Sequence, residues 1–239
     1  MMRVLAAIVS AFFLFTGSAS ACSYSVLTKF TEVGRSFTVA IRFENKPLAG
    51  ATVEIFAHDT AQQRYSATTG RDGTARVSNL RPGKYNLETR HLGIQAGFDQ
   101  IEVRARQSSQ AKARMQYLWG QQPTLVRQIA GTIRDGQPGP GATPFLRLIA
   151  KPVFVPLGGA QLEVHHPTSG NVYTDTSNDQ GEFAVTAVPE GTYVLQVRGG
   201  TNPNYEPANF LVKVTPAAKA ESLQLTRGEI CGSSVLHLQ

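Results

Sequence analysis

The chain has 239 residues, of which 17% are charged, and a formal net charge of +6. That composition excludes a disordered polyelectrolyte and suits two domains of roughly 100 residues, each able to bury a modest core. The basic residues between Arg71 and Arg127 are dispersed rather than clustered. With no recognition motif beside them, nucleic acid is excluded as a partner, leaving weak non-specific attraction to anionic envelope polymers or lipid heads.

Residues 1–21 read as a signal peptide. Arg3 is the positive end, residues 4–15 are an uncharged apolar run, and Ala19-Ser20-Ala21 is a small-x-small cleavage site. The run is shorter than the ~20 residues that a membrane-spanning helix needs, and no later stretch qualifies. Everything from residue 22 is therefore expected to be exported, periplasmic or secreted. Losing Arg3 lowers the net charge from +6 to +5.

Two cysteines are present, Cys22 and Cys231. An oxidising compartment and an even count favour a disulfide between them. The rival is acylation, because Ala19-Ser20-Ala21-Cys22 resembles a bacterial lipobox, although Leu usually stands where Ala19 does. An acylated Cys22 would tether an outer-membrane lipoprotein and leave Cys231 as a lone thiol. Cys22-Ser23-Tyr24-Ser25-Val26-Leu27 also echoes Cys231-Gly232-Ser233-Ser234-Val235-Leu236, which would make two neighbouring terminal strands.

Along the chain the pattern is period two, the mark of a sheet with one buried face. Phe37, Val39, Ile41 and Phe43 predict a first strand, residues 44–47 a turn, Ala51, Val53 and Ile55 a second strand, and residues 63–69 a third. Asp72-Gly73 reads as a two-residue hairpin, whose type I′ turn needs positive φ. Ala75 and Val77 follow, then Tyr85, Leu87 and Thr89, then Ile101 with Val103, then Met115 with Tyr117. After a short junction at residues 119–123 the series recurs: Ile129 and Ile133; Ala160, Leu162 and Val164; residues 172–174; Phe183 and Val185; Tyr193, Leu195 and Val197; residues 210–212; and Leu223 with Leu225. Frequent turns and short strands without helical periodicity predict β-sandwiches. One piece has no counterpart. Residues 135–155 are an insertion, with Pro138-Gly139-Pro140-Gly141 and then Phe145-Leu146-Arg147-Leu148-Ile149.

The recurrence is close. Pro47-Leu48-Ala49-Gly50-Ala51 returns 109 residues later as Pro156-Leu157-Gly158-Gly159-Ala160. Gly73 returns as Gly181, and Gly83-Lys84-Tyr85-Asn86-Leu87 as Gly191-Thr192-Tyr193-Val194-Leu195, both 108 residues later. Such a period is a domain, since solenoid units run about 20–50 residues. A Pro-Leu-Ala-Gly-Ala block, an Asp-Gly turn and a Leu-x-Pro-Gly-x-Tyr-x-Leu strand resemble the carboxypeptidase regulatory-like domain family. Its relatives are the transthyretin-like (prealbumin-like) domains and the B-type repeats of Gram-positive surface adhesins. The resemblance implies an all-β chain of two tandem seven-stranded prealbumin-like (Ig-like) β-sandwiches, residues 22–120 and 121–239. It also implies a non-catalytic module, of the kind attached to proteases, receptors, adhesins or sugar-binding proteins. The adhesin repeats often carry a Lys–Asn isopeptide bond promoted by a buried Glu. Glu88 and Gln196 stand at that place, but the first strand offers Arg42 and no Lys, so no crosslink is expected.

Chemical motifs are sparse. His165 and His166 are adjacent and point to opposite faces of a strand, so they cannot share a metal from one side. His58, His91 and His237 stand apart, and zinc-peptidase, nucleophile-elbow, P-loop and calcium-loop spacings are missing. No catalytic residue, metal or cofactor is expected. Tyr85 and Tyr193 read as structural, ring in the core and hydroxyl to nearby backbone. Tyr117 aligns with Leu225 and reads as core. Trp119 aligns with Arg227, an exposed type, so Trp119 with Tyr65 or Tyr205 is the candidate sugar platform. The function expected is that of an exported envelope binding module, its partner an envelope protein or polysaccharide. The alternatives are a carbohydrate-binding module of starch-binding-like fold and a periplasmic enzyme with its site on the 135–155 insertion.

Overall fold

The computed structural model describes residues 29–58, 63–106, 109–120, 122–137, 153–199, 207–230 and 233–238. Residues 1–21, Cys22, Cys231, Tyr205 and the middle of the insertion lie outside the described residues. Every described element is a strand, as the period-two patterning predicts. No helix among the described residues is long and apolar enough to cross a membrane.

The N-terminal unit contains β1 (Thr31–Phe43), β2 (Lys46–Pro47), β3 (Thr52–Ala57), β4 (Arg64–Thr68), β5 (Thr74–Val77), β6 (Gly83–His91), β7 (Ile94–Val103) and β8 (Lys112–Leu118). The C-terminal unit contains β9 (Thr124–Val126), β10 (Ile129–Gln137), β11 (Val153–Pro156), β12 (Gln161–His165), β13 (Val172–Thr176), β14 (Glu182–Val185), β15 (Gly191–Arg198), β16 (Ala208–Val214), β17 (Leu223–Ile230) and β18 (Ser233–Leu238).

One layer of the N-terminal unit runs β4-β3-β6-β7, and residues 31–33 of β1 pair with β7 in parallel. After Val33 the register shifts, and β1 continues in the opposite layer between β5 and β8. The C-terminal unit repeats this scheme. Its first layer runs β13-β12-β15-β16-β9 and its second places β10 between β14 and β17. Here the layer-crossing strand is broken into β9 and β10. Side chains from the two layers meet in a core of alternating apolar residues: Val39, Ile41, Ile55 and Leu87 in one unit, Ile133, Leu162, Leu195 and Leu225 in the other. Each such side chain, fully buried, stabilises by about 1.5–3 kcal/mol.

Two expectations change. The units have eight and ten described strands, not seven each: β2, β9 and β11 lie outside the period-two pattern, and β18 is expected only as the terminal strand that echoes residues 22–27. The stems of the insertion are also strands rather than loop. Residues 134–137 pair antiparallel with 153–156, from Arg134↔Pro156 to Gln137↔Val153. This lengthens the short pair Arg42↔Pro47 and Phe43↔Lys46 of the N-terminal unit.

The repeated sequence blocks build one corner twice. Asp72-Gly73 is not a two-residue hairpin, because β4 pairs with β3 while β5 pairs with β1 in the other layer. The turn carries the chain between layers. Gly73 has φ of 71° and its carbonyl accepts Ile41 N at 2.9 Å. Gly181 has φ of 72° and accepts Ile133 N at 2.8 Å. A Cβ at either position would lie within 2.7 Å of that first strand's own carbonyl oxygen, so the close approach and the left-handed backbone both require glycine.

A buried hydroxyl locks each corner. Thr69 Oγ1 accepts from Ala51 N at 2.9 Å and donates to Leu48 O at 2.6 Å. Ser177 Oγ accepts from Ala160 N at 2.9 Å and donates to Leu157 O at 2.8 Å. The Pro-Leu-x-Gly-Ala block is thus the loop that this hydroxyl pins. The tyrosines behave as read from sequence: Tyr85 OH donates to Arg81 O at 2.9 Å and Tyr193 OH to Pro189 O at 3.0 Å.

Candidate binding face

Trp119 corrects the sequence reading. It is 2% exposed, not a platform. Its ring meets Phe43 and His91 edge-to-face at 5.2 and 5.5 Å, and Nε1 donates to His91 O at 3.3 Å. The aligned Arg227 is also buried, directly opposite the buried Asp135 in the β10–β17 register. Residue type alone therefore misplaces both positions. Trp119, just past the end of β8, is covered by the turn between β6 and β7 and by the neighbouring unit. Tyr65 offers no free ring either. It sits on the core side of β4, edge-to-face with Tyr85 at 6.0 Å, and its hydroxyl accepts Arg81 N at 3.4 Å. Trp119 and Tyr65 stand in different layers and form no common site.

Trp119 belongs to the junction. Val194 of β15 is fully buried and joins the N-terminal core cluster, with Leu92, Ile94 and Leu211 packed against it. Around this apolar centre, Gln196 Nε2 donates to Leu92 O at 3.3 Å, Thr192 Oγ1 to Glu44 Oε1 at 3.0 Å, and His91 Nε2 to Pro167 O at 3.1 Å. The outer face of β15 and β16 is therefore occupied by the N-terminal unit. A signal for this was in the sequence. Tyr193-Val194-Leu195 is a continuous apolar run, which marks a strand buried on both faces.

The matching face of the N-terminal unit points outward. Phe56, Asn86 and Gln100 form one cross-strand row on β3, β6 and β7; Glu54, Glu88 and Phe98 form the next. Gln100 is only 5% exposed, while Phe98 is 44% exposed. His58 Nδ1 lies 3.2 Å from Asn86 Oδ1 and 3.4 Å from Gln100 Nε2. It can serve only one of them, donating to the carbonyl as N–H or accepting from the amide as bare nitrogen. Gln100 Nε2 also lies 3.5 Å from Asn86 Oδ1, and Gln100 Oε1 is buried without a partner. Phe30 stands edge-on to His58 at 5.5 Å, with Lys84 Nζ 4.7 Å over its ring.

Two carboxylates of this face, Glu88 and Glu102, are held in ion pairs. Arg90 binds Glu88, whose hydrogen bond holds the guanidinium pKa above its ordinary value. Arg104 binds Glu102 and Glu32, each at 2.9 Å. Among the described residues, no group of three or more His, Cys, Asp or Glu side chains could hold a metal ion.

The layer-crossing corner, the Tyr85 lock and this face all fall within one matched segment. Residues 38–116 match the carboxypeptidase regulatory-like domain family. The matched segment runs from within β1 to within β8 and includes the outward face. No curated protein matches the chain. Among solved structures, the chain is similar to the Bacillus anthracis TIE protein at 15% identity and a TM-score of 0.29, over 80% of this chain and 33% of that one. It is similar to a streptococcal ancillary pilin at 15% identity and 0.33, over 82% and 63%. A minor pilin of Streptococcus agalactiae matches at 12% identity and 0.32, over 80% and 94%. The chain therefore spans less than two thirds of the first two. The resemblance read from the sequence anticipated this match but not the face. Asn86 and Gln100 are ordinary outward polar residues in an alternating strand, and no local pattern separates them from solvated ones.

Proposed function

We propose that the chain is an exported, non-catalytic binding module of a bacterial cell envelope, built from two tandem carboxypeptidase regulatory-like sandwiches held as one rigid piece. The observation that carries this reading is the unequal use of one sheet face. In the C-terminal unit that face is consumed by the junction around Val194 and Trp119; in the N-terminal unit it is presented outward. The repeated corner, with Thr69 and Ser177 making the same two hydrogen bonds, supports the tandem copy. The leader at residues 1–21 supports export.

Cosedimentation of the purified mature protein with isolated envelope fractions tests the reading. Saturable retention by a wall, outer-membrane or polysaccharide fraction is the expected result. A protein that remains in the supernatant with every fraction contradicts it. Intact mass with and without reductant settles the ends of the chain. A gain of two hydrogens on reduction is expected for the proposed Cys22–Cys231 disulfide, and a diacylglyceryl mass on Cys22 replaces that bond with a membrane tether.

A further inference from the structure

We propose that the outer face of β3, β6 and β7 binds a neutral glycan, seated on Asn86 and Gln100. The proposal rests on the binding-module reading and names the ligand class. Gln100 is more than nine-tenths buried, and its Oε1 lacks a partner. Turning the amide over exchanges which end is orphaned and cures nothing. A buried polar atom left unpaired costs about 1–3 kcal/mol. Such a defect calls for an explanation, and a donor arriving from outside supplies one. Gln100 Nε2 has two acceptors within reach, His58 Nδ1 and Asn86 Oδ1, so the unmet group is the carbonyl end alone.

The ladder position identifies the chemistry of the ligand. Asn86↔Gln100 in β6–β7 corresponds to Val194↔Leu211 in β15–β16. The apolar pair accepts the Leu92–Ile94 turn of a protein. An amide pair under the same apolar turn would be desolvated without hydrogen bonds, so this face is not built for a second copy of that contact. It is built for hydroxyl groups. Phe56 stands in the same row, and the exposed Phe98 in the next. Rings beside planar amides suit a ligand with an apolar C–H face and a rim of donors and acceptors. The charges favour neither an anion nor a cation: Glu88 and Glu102 have arginine partners, and Glu54 and Lys84 add one charge of each sign to the same face.

The test is a nitrogen-15 NMR titration of the mature protein with three neutral oligosaccharides: an α-1,4 glucan, a β-1,4 glucan and a β-1,4 N-acetylglucosamine oligomer. At least one is expected to shift the side-chain amides of Asn86 and Gln100. The N86V/Q100L variant copies the apolar pair of the C-terminal unit and is expected to keep its fold, because exchanging both polar partners for apolar ones is close to neutral. Its affinity should fall at least tenfold. Phe98→Ala, at an exposed position, should weaken binding without altering thermal stability. The proposal is overturned if no neutral probe moves these amides, if N86V/Q100L binds like the parent, or if polygalacturonate binds more tightly than the neutral probes. Undiminished envelope cosedimentation by N86V/Q100L overturns this site alone; loss of cosedimentation by the parent overturns the binding-module reading beneath it.

Discussion

In the C-terminal unit the ladder pair Val194↔Leu211 lies under the turn of its neighbour, with Trp119 at the edge of the contact. In the N-terminal unit the same pair is Asn86↔Gln100, facing outward beside Phe30 and His58. The cores beneath are equivalent and the corners are locked by the same hydroxyl. The difference lies in two side chains per face. Two sandwiches of one strand scheme can thus bury one example of a face and leave the other open, with little change to the fold.

The largest effect should come from removing the ring that joins the units. Trp119→Ala deletes contacts to Phe43 and His91 and should cost about 3–5 kcal/mol in urea unfolding. An unchanged midpoint would mean that the ring is not buried between the units. Next, Val194→Asn places the amide of the open face into the docked one, against Leu92 and Trp119. It should destabilise by about 1–3 kcal/mol, because the amide has no partner there. The reverse exchange, made at both partners as N86V/Q100L, should be nearly neutral for stability. Equal losses from the two would erase the distinction between the faces.

The corners should respond alike. Thr69→Val and Ser177→Ala each orphan a buried backbone N–H, of Ala51 and Ala160 respectively. Each should cost about 1–3 kcal/mol. The two losses should add, since the sites share no partner.

Titration gives the smallest effects and separates the corners again. Thr74 donates twice to Asp72 and holds its carboxyl below the ordinary value of 3.8. The folded pKa is depressed, so the contribution is present above 3.8 and lost as pH falls through the lower folded value. Gln180, at the matching position 108 residues later, does not titrate. Amide exchange at Gly73 and Thr74 should therefore rise in strong acid while exchange at Gly181 and Glu182 does not. At the alkaline end, burial raises Tyr85 and Tyr193 above the ordinary 10.0. Their contribution is complete below pH 10.0 and is lost as pH rises through the folded values. Tyrosinate absorbance should show them ionising above the ordinary tyrosine value, in both units.

Much of this architecture was legible in the sequence. Alternating Val, Ile, Leu and Phe placed the core strands, and repetition at a fixed interval exposed the duplicated blocks. What escaped was set by neighbours rather than by local pattern. Thr69 and Ser177 look like ordinary strand-end polar residues until their buried partners are known, although their shared 108-residue spacing was a readable clue. Asp72-Gly73 has the composition of a hairpin turn, and only pairing partners reveal a crossing between layers. Trp119 and Arg227 were misjudged because exposure at a strand end depends on what docks there. The candidate face was invisible for a related reason: an orphaned Gln100 carbonyl is a property of three strands in register, not of any one segment.

The central claim is that one unit sits rigidly on the outer sheet face of the other and leaves its own matching face free. Backbone residual dipolar couplings from the two units test it most directly. A single alignment tensor fitting the amides of β6 and β7 together with those of β15 and β16 is the predicted result. Two tensors of different orientation or magnitude would mean that the units tumble independently, and the docked face around Val194 would not exist in solution.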